Sequence, residues 1–197
     1  MKVLVIGAAG MLSSALCCTY KLMLTKDPGR VGSAALAACL AKHHTVTAFV
    51  RNPAKLPLEV RIHPRLRIIR GDATCHMSLV DAIRDQDAII QAAVYGSVSP
   101  YGKSDSERVI RCIIGAIREV QAVERWGSPP IRLWVLSGQV LLNIPGGKME
   151  GDIIPIHPEH YNNYSFLQQD ARDVNWSLLC PGKIDRGEVR VLLYECR

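Results

Sequence analysis

Short apolar runs alternate with longer stretches of helical spacing along most of the chain, and the two periods locate its elements. Residues 2–6, 45–50, 66–70, 87–92, 131–136 and 174–179 are compact, mostly apolar runs of the length expected for strands. Between them, Ser33 to Lys42, Ser78 to Arg84, Ser104 to Trp126 and Glu159 to Ala171 space their apolar residues as helices do. Strands that alternate with helices pair in parallel through crossover connections. The pattern therefore predicts an α/β protein: a doubly wound parallel sheet covered by helices on both faces, in three αβα layers. No internal repeat or second domain interrupts it, so residues 1–197 read as a single domain, with Gly127-Ser128-Pro129-Pro130 and Pro145-Gly146-Gly147 as loops.

The first run enters a glycine turn, Ile6-Gly7-Ala8-Ala9-Gly10, and the expected continuation lies 19 residues later, as Arg30-Val31-Gly32-Ser33. With residues 11–29 set aside, the turn becomes Gly7-Ala8-Ala9-Gly10-Arg30-Val31-Gly32, a GxxGxxG. Glycines there let the backbone turn tightly and approach a diphosphate, which the N–H groups of the following helix then hold. Gly7, Ala9, Gly10, Arg30, Val31 and Gly32 are accordingly the candidate cofactor-binding residues of a Rossmann-like fold. Arg51 ends the second strand 44 positions after Gly7, or 25 once the segment is excised. The shorter spacing is near the ~20 residues that separate such a turn from the ribose-recognising side chain. An arginine at that place pairs with the 2′-phosphate of NADP, where an NAD-specific domain usually carries a carboxylate. NADP is the expected cofactor, with NAD the alternative.

Val50-Arg51-Asn52-Pro53-Ala54-Lys55-Leu56, Arg70-Gly71-Asp72-Ala73 and Trp176-Ser177-Leu178-Leu179-Cys180-Pro181-Gly182 resemble the NAD(P)H-binding, NmrA-like group of atypical short-chain dehydrogenases/reductases. The likeness covers residues 1–10 and 30 to about 182. It implies adenine contacts from Asp72 and Ala73 and a substrate-polarising hydroxyl at Ser137. Relatives usually continue past Pro181-Gly182 into elements that close the substrate pocket, so residues 183–197 form an atypical end, with 189–193 as one further strand.

Ligands of open parallel sheets bind at the carboxyl ends of the strands. That rule independently selects Asp72 and Ala73 after the third strand, Ala92 and Ala93 after the fourth, and Ser137 after the fifth. The reductase superfamily's proton donor is a tyrosine with a lysine four positions on. Neither Tyr161 nor Tyr164 has one, since positions 165 and 168 are Ser and Gln. Tyr161 remains the candidate beside Ser137, with His157 and His160 near the expected substrate position.

Composition changes this picture little. At 48% hydrophobic and 21% charged, the 197 residues suffice for one ordinary core. The net charge of +6 is spread out, and its densest run, Arg61 to Arg70, lacks the interleaved aromatics of a nucleic-acid surface. Nucleic acid and membrane are not expected partners; a nicotinamide cofactor and a small-molecule substrate are. Lys2 to Cys18 has the look of a secretory leader, but its removal would delete the first strand. Seven cysteines, an odd count without metal spacing, fit reduced thiols in the cytoplasm.

Residues 11–29 admit two further readings. They either begin the first crossover helix directly, with Ser13 in place of the third glycine, or intrude before a crossover helix that starts near Arg30. An intrusion of nineteen codons has the length of a short intron, 57 nucleotides, retained in a gene model. Three functions follow as expectations: an NADPH-dependent oxidoreductase acting on a small carbonyl or unsaturated substrate, a non-catalytic NADP-sensing regulator, or an inactive product of a faulty gene model.

Overall fold

The computed structural model describes residues 1–9, 30–93, 105–124, 127–138, 141 and 158–180. Six strands form one parallel sheet: β1 (Lys2–Ile6), β2 (Thr45–Val50), β3 (Leu66–Arg70), β4 (Ala88–Gln91), β5 (Arg132–Leu136) and β6 (Asn175–Leu179). Their order is β3-β2-β1-β4-β5-β6, so β1 lies in the middle and the winding reverses between β1 and β4. Ile6 is in register with Phe49 of β2 on one side and Gln91 of β4 on the other. The α/β, doubly wound, Rossmann-like expectation is borne out, and all six strands fall within one residue of their predicted limits.

Five helices connect them: α1 (Arg30–Ala41), α2 (Leu58–Arg61), α3 (His76–Ile83), α4 (Ser106–Val123) and α5 (Pro158–Asp170). Alternate residues of β1 supply two cores. Val3 and Val5 pack with Leu36 and Leu40 of α1 on one face. Leu4 and Ile6 join the larger core on the other, built from α3, α4 and α5. The β1 run is apolar throughout because helices cover both its faces.

Among the described residues the first crossover helix begins at Arg30, three residues before the expected Ser33. It ends with His43 in the left-handed region, φ 60°, where the N–H groups of His43 and His44 donate back to Leu40 and Cys39. This places at a non-glycine residue a helix stop that glycine usually provides. α4 aligns Val109, Ile110, Ile113, Ile114, Ile117 and Val120 into the larger core. Its outer face is clasped to the α5–β6 connection by Arg118, whose guanidinium donates to both Asp173 oxygens at 2.8 and 2.6 Å and to the Asp170 carbonyl. The sequence pattern missed α2 and the 3-10 turn at Pro53–Lys55 before it. Asn52 caps that turn, its side-chain oxygen accepting from the Ala54 N–H at 3.0 Å.

Candidate functional site

The reversal between β1 and β4 is where an open sheet leaves a crevice, and three backbones crowd together there. Gly7 has φ +87°, and a Cβ on it would stand 2.6 Å from the Ala93 nitrogen. Gly32, the third residue of α1, lies so close to that turn that a Cβ would stand 2.3 Å from the Gly7 carbonyl oxygen. Neither position admits a side chain. Gly7 and Gly32, 25 residues apart in sequence, are thus brought into backbone contact. Close backbone approach of this kind at the start of a helix suits a diphosphate. This cradle fits a nicotinamide dinucleotide.

The remaining candidates surround it. Gly7 N–H donates to the Phe49 carbonyl at 3.2 Å, and Ala92 N–H to the Ile6 carbonyl at 2.9 Å, so the ends of β2, β1 and β4 are level. Ala92 is buried and Ala93 half-buried. Gln91, itself buried, donates from Nε2 to the Ala93 carbonyl at 2.8 Å, fixing the strand exit against Gly7. Nothing in the sequence marked Gln91 for that task except its polarity inside an apolar strand. Ala9 is half-buried against the α1-side core, and Val31 is half-buried. Arg30 opens α1. Gly10, His157 and residues 183–197 lie outside the described residues, as do 11–29.

Arg51 is exposed at the end of β2, on the same rim as Asp72. The Asp72 carboxylate accepts hydrogen bonds from the Thr74 N–H at 2.9 Å and its hydroxyl at 2.8 Å. These bonds hold its pKa below the ordinary 3.8, with smaller help from the charges of Arg51 and Arg108. A carboxylate whose folded pKa is depressed adds stability that is complete above its unfolded value and is lost as pH falls through the folded one. In an acid titration by NMR, the Thr74 amide resonance is expected to move with a midpoint below 3.8; a midpoint at or above it would mean that the turn does not hold the carboxylate. Ala73 turns its methyl into the larger core, leaving only its backbone to face the crevice. Gly71 before it is needed for packing, because a Cβ there would meet the Phe49 ring at 2.4 Å.

Ser137, at the end of β5, is buried. Its N–H donates to the Leu179 carbonyl of β6 at 2.8 Å, and its Oγ lies 3.2 Å from Nδ1 of His160 in the first turn of α5. The imidazole reaches it by lying over Gly138, where a Cβ would stand 2.9 Å from ring atoms Cδ2 and Nε2. Tyr161, the next residue along, packs half-buried against the larger core. The structure thus joins Ser137 to His160, a pairing across 23 residues that no local motif announced. Glycine directly after the β5 serine was the one available signal.

Fold and cradle together define a Rossmann-type nicotinamide-nucleotide domain. A family model for NAD(P)H-binding proteins matches residues 28–192, and the chain belongs to that family. Similar solved structures include an oxidoreductase from Lactococcus lactis, 16% identical with TM-score 0.60, covering 96% of this chain and 73% of that one. A short-chain dehydrogenase/reductase from Veillonella parvula is 14% identical with TM-score 0.60 and covers 91% and 67%. The Bordetella bronchiseptica enzyme WbmH, solved with NAD+, is 14% identical with TM-score 0.60, and this chain spans 55% of its length. At such identities the likeness is one of fold. No curated protein matches the chain. Among the described residues there is no cluster suited to a metal ion and no helix long and apolar enough to cross a membrane.

Proposed function

We propose that the chain is an NADPH-dependent oxidoreductase that reduces a small organic carbonyl or unsaturated substrate. The observation that carries this reading is the Ser137–His160 pair, a buried hydroxyl in contact with an imidazole at the carboxyl end of β5. When bound, the reduced nicotinamide supplies a hydride; the protein has to orient the partners and provide a proton. Gly7, Ala9, Gly10, Arg30, Val31 and Gly32 are the residues for the diphosphate, Arg51 for the 2′-phosphate, Asp72 and Ala73 for the adenine, and Ala92 and Ala93 for the nicotinamide ribose.

Ser137 is the group for the substrate oxygen. With His160 doubly protonated, Nδ1–H donates to the serine Oγ, leaving the hydroxyl hydrogen to polarise the substrate and then transfer to it. His160 replaces that proton. The pair takes over the task that a tyrosine and lysine perform elsewhere in the superfamily, and Tyr161 remains a lesser candidate for it. His160→Phe is expected to lower NADPH-dependent turnover about 100-fold, the scale of lost general acid catalysis, while NADPH affinity stays within twofold. Unchanged turnover would remove the imidazole from the mechanism.

The missing tyrosine–lysine pair favours a second reading, an NmrA-like regulator that senses NADP without turnover. NADPH fluorescence titration, followed by oxidation assays with quinones and aldehydes, separates the two: turnover supports the enzyme, and binding alone supports the regulator. Running the same titration on a version lacking residues 11–29 tests the retained-intron reading. Because Gly32 meets Gly7 with the segment present, the full chain is expected to bind NADPH, and binding only after deletion would identify a faulty gene model.

A further inference from the structure

Two cysteines that the proposed reaction does not use are neighbours between the crevice rim and α4. Cys112, on α4, directs its Sγ to the Thr74 carbonyl at 3.5 Å, and that carbonyl is bonded to the nitrogen of Cys75. One turn further along α4, Gly115 faces His76, whose ring a Cβ there would approach to 3.2 Å. The residues on either side of Cys75 therefore both rest on α4, which fixes the Cys75 backbone beside Cys112. With standard peptide dimensions, Cys112 Sγ is within about 6.3 Å of the Cys75 Cα, so the two residues are neighbours in space. Both thiols are reduced, Cys75 exposed and Cys112 half-buried.

The two differ in the way an attacking and a resolving thiol should. Cys75 precedes the first turn of α3, where the Ser78 hydroxyl and N–H draw its pKa below the ordinary thiol value, without a formed capping hydrogen bond. Burial pushes the Cys112 thiol up. Cys112 also stands on the wall of an open hollow of about 490 Å³ lined with Glu107, Arg108 and Arg111, whose two arginines suit a small anionic disulfide.

We propose that Cys75 and Cys112 are a reversible dithiol–disulfide couple that fastens the Asp72–Thr74 turn to α4. The Cys75 thiolate attacks one sulfur of a glutathione-type disulfide, forming a mixed disulfide and releasing one thiol. Cys112 then loses its proton and attacks the Cys75 sulfur, expelling the second thiol. The protein gives up two electrons and two protons, and the small disulfide is reduced to two thiols.

The test is incubation of the full chain with glutathione disulfide, followed by alkylation of the remaining thiols and peptide mapping. The expected result is a Cys75–Cys112 linked peptide that dithiothreitol removes and that is lost when the reaction is run in denaturing urea. Cys112→Ser should instead stop at a glutathione adduct on Cys75, with a thermal unfolding midpoint showing that the variant is folded. Cys75 and Cys112 both remaining alkylatable in the unaltered chain, or Cys75 joined to another cysteine or another molecule, would overturn the proposal.

Discussion

Gly32→Ala is expected to abolish NADPH binding at concentrations that saturate the unaltered chain, and to lower the urea midpoint of unfolding. The added Cβ would lie 2.3 Å from the Gly7 carbonyl oxygen and 2.8 Å from its carbon. Both are backbone atoms of the central strand's exit, so the strain falls on α1, which must lift away from β1. Overpacking of this kind costs about 1–3 kcal/mol. That sum leaves a domain of ordinary stability folded, while the helix start moves away from the proposed diphosphate position. NADPH fluorescence reads the first effect and urea denaturation the second. Affinity within twofold of the parent would show that α1 does not form the diphosphate site, whatever the sequence spacing suggests. Gly7→Ala should act in the same direction: it meets the Ala93 backbone and also forces an alanine to φ +87°, which adds about 1–2 kcal/mol.

Arg51→Ala is expected to weaken NADPH binding about 10- to 100-fold and to leave NADH binding unchanged. A hydrogen bond to a charged group is worth about 1.5–3 kcal/mol, and 1.4 kcal/mol corresponds to about a tenfold change. Arg51 stands at the end of β2, two residues beyond the Phe49 carbonyl that receives the Gly7 N–H, at the same strand ends as the proposed cofactor site. Arg51→Glu should go further and invert the preference toward NADH. Parallel titrations with the two cofactors measure both. Equal losses for NADPH and NADH would assign Arg51 a structural task and leave the 2′-phosphate without its reader.

The sheet was legible in the sequence because strands covered on both faces must be apolar at nearly every position, and β1 and β2 are buried apart from their first residues. β3 was recognisable from a different pattern, isoleucines between arginines, of which Arg67 and Arg70 are exposed. α2 had no such signature: it spans one turn, leaves Leu58 and the adjoining Ile62 60% and 72% exposed, and sets only Val60 against the α1-side core, too little for a period to reveal. The close approach of the Gly7 turn to α1 could be read from Gly7 and Gly32 because steric exclusion leaves glycine as the sole choice at each. It required recognising that the separating residues do not alter which backbones meet. The Ser137–His160 contact was not legible, since it depends on where α5 begins and on the flat approach over Gly138. The burial of the Ala73 methyl was hidden for a related reason, because the direction of a residue after a strand is set by the next turn.

β3 terminates the sheet among the described residues, and its far side carries backbone donors and acceptors that a second polypeptide could extend. Its two exposed side chains are both cationic. A second copy approaching strand to strand would bring guanidinium against guanidinium, and the repulsion discourages stacking of molecules into longer ribbons. The arginines first considered as a surface for anionic partners thus also limit the growth of the sheet at its open border.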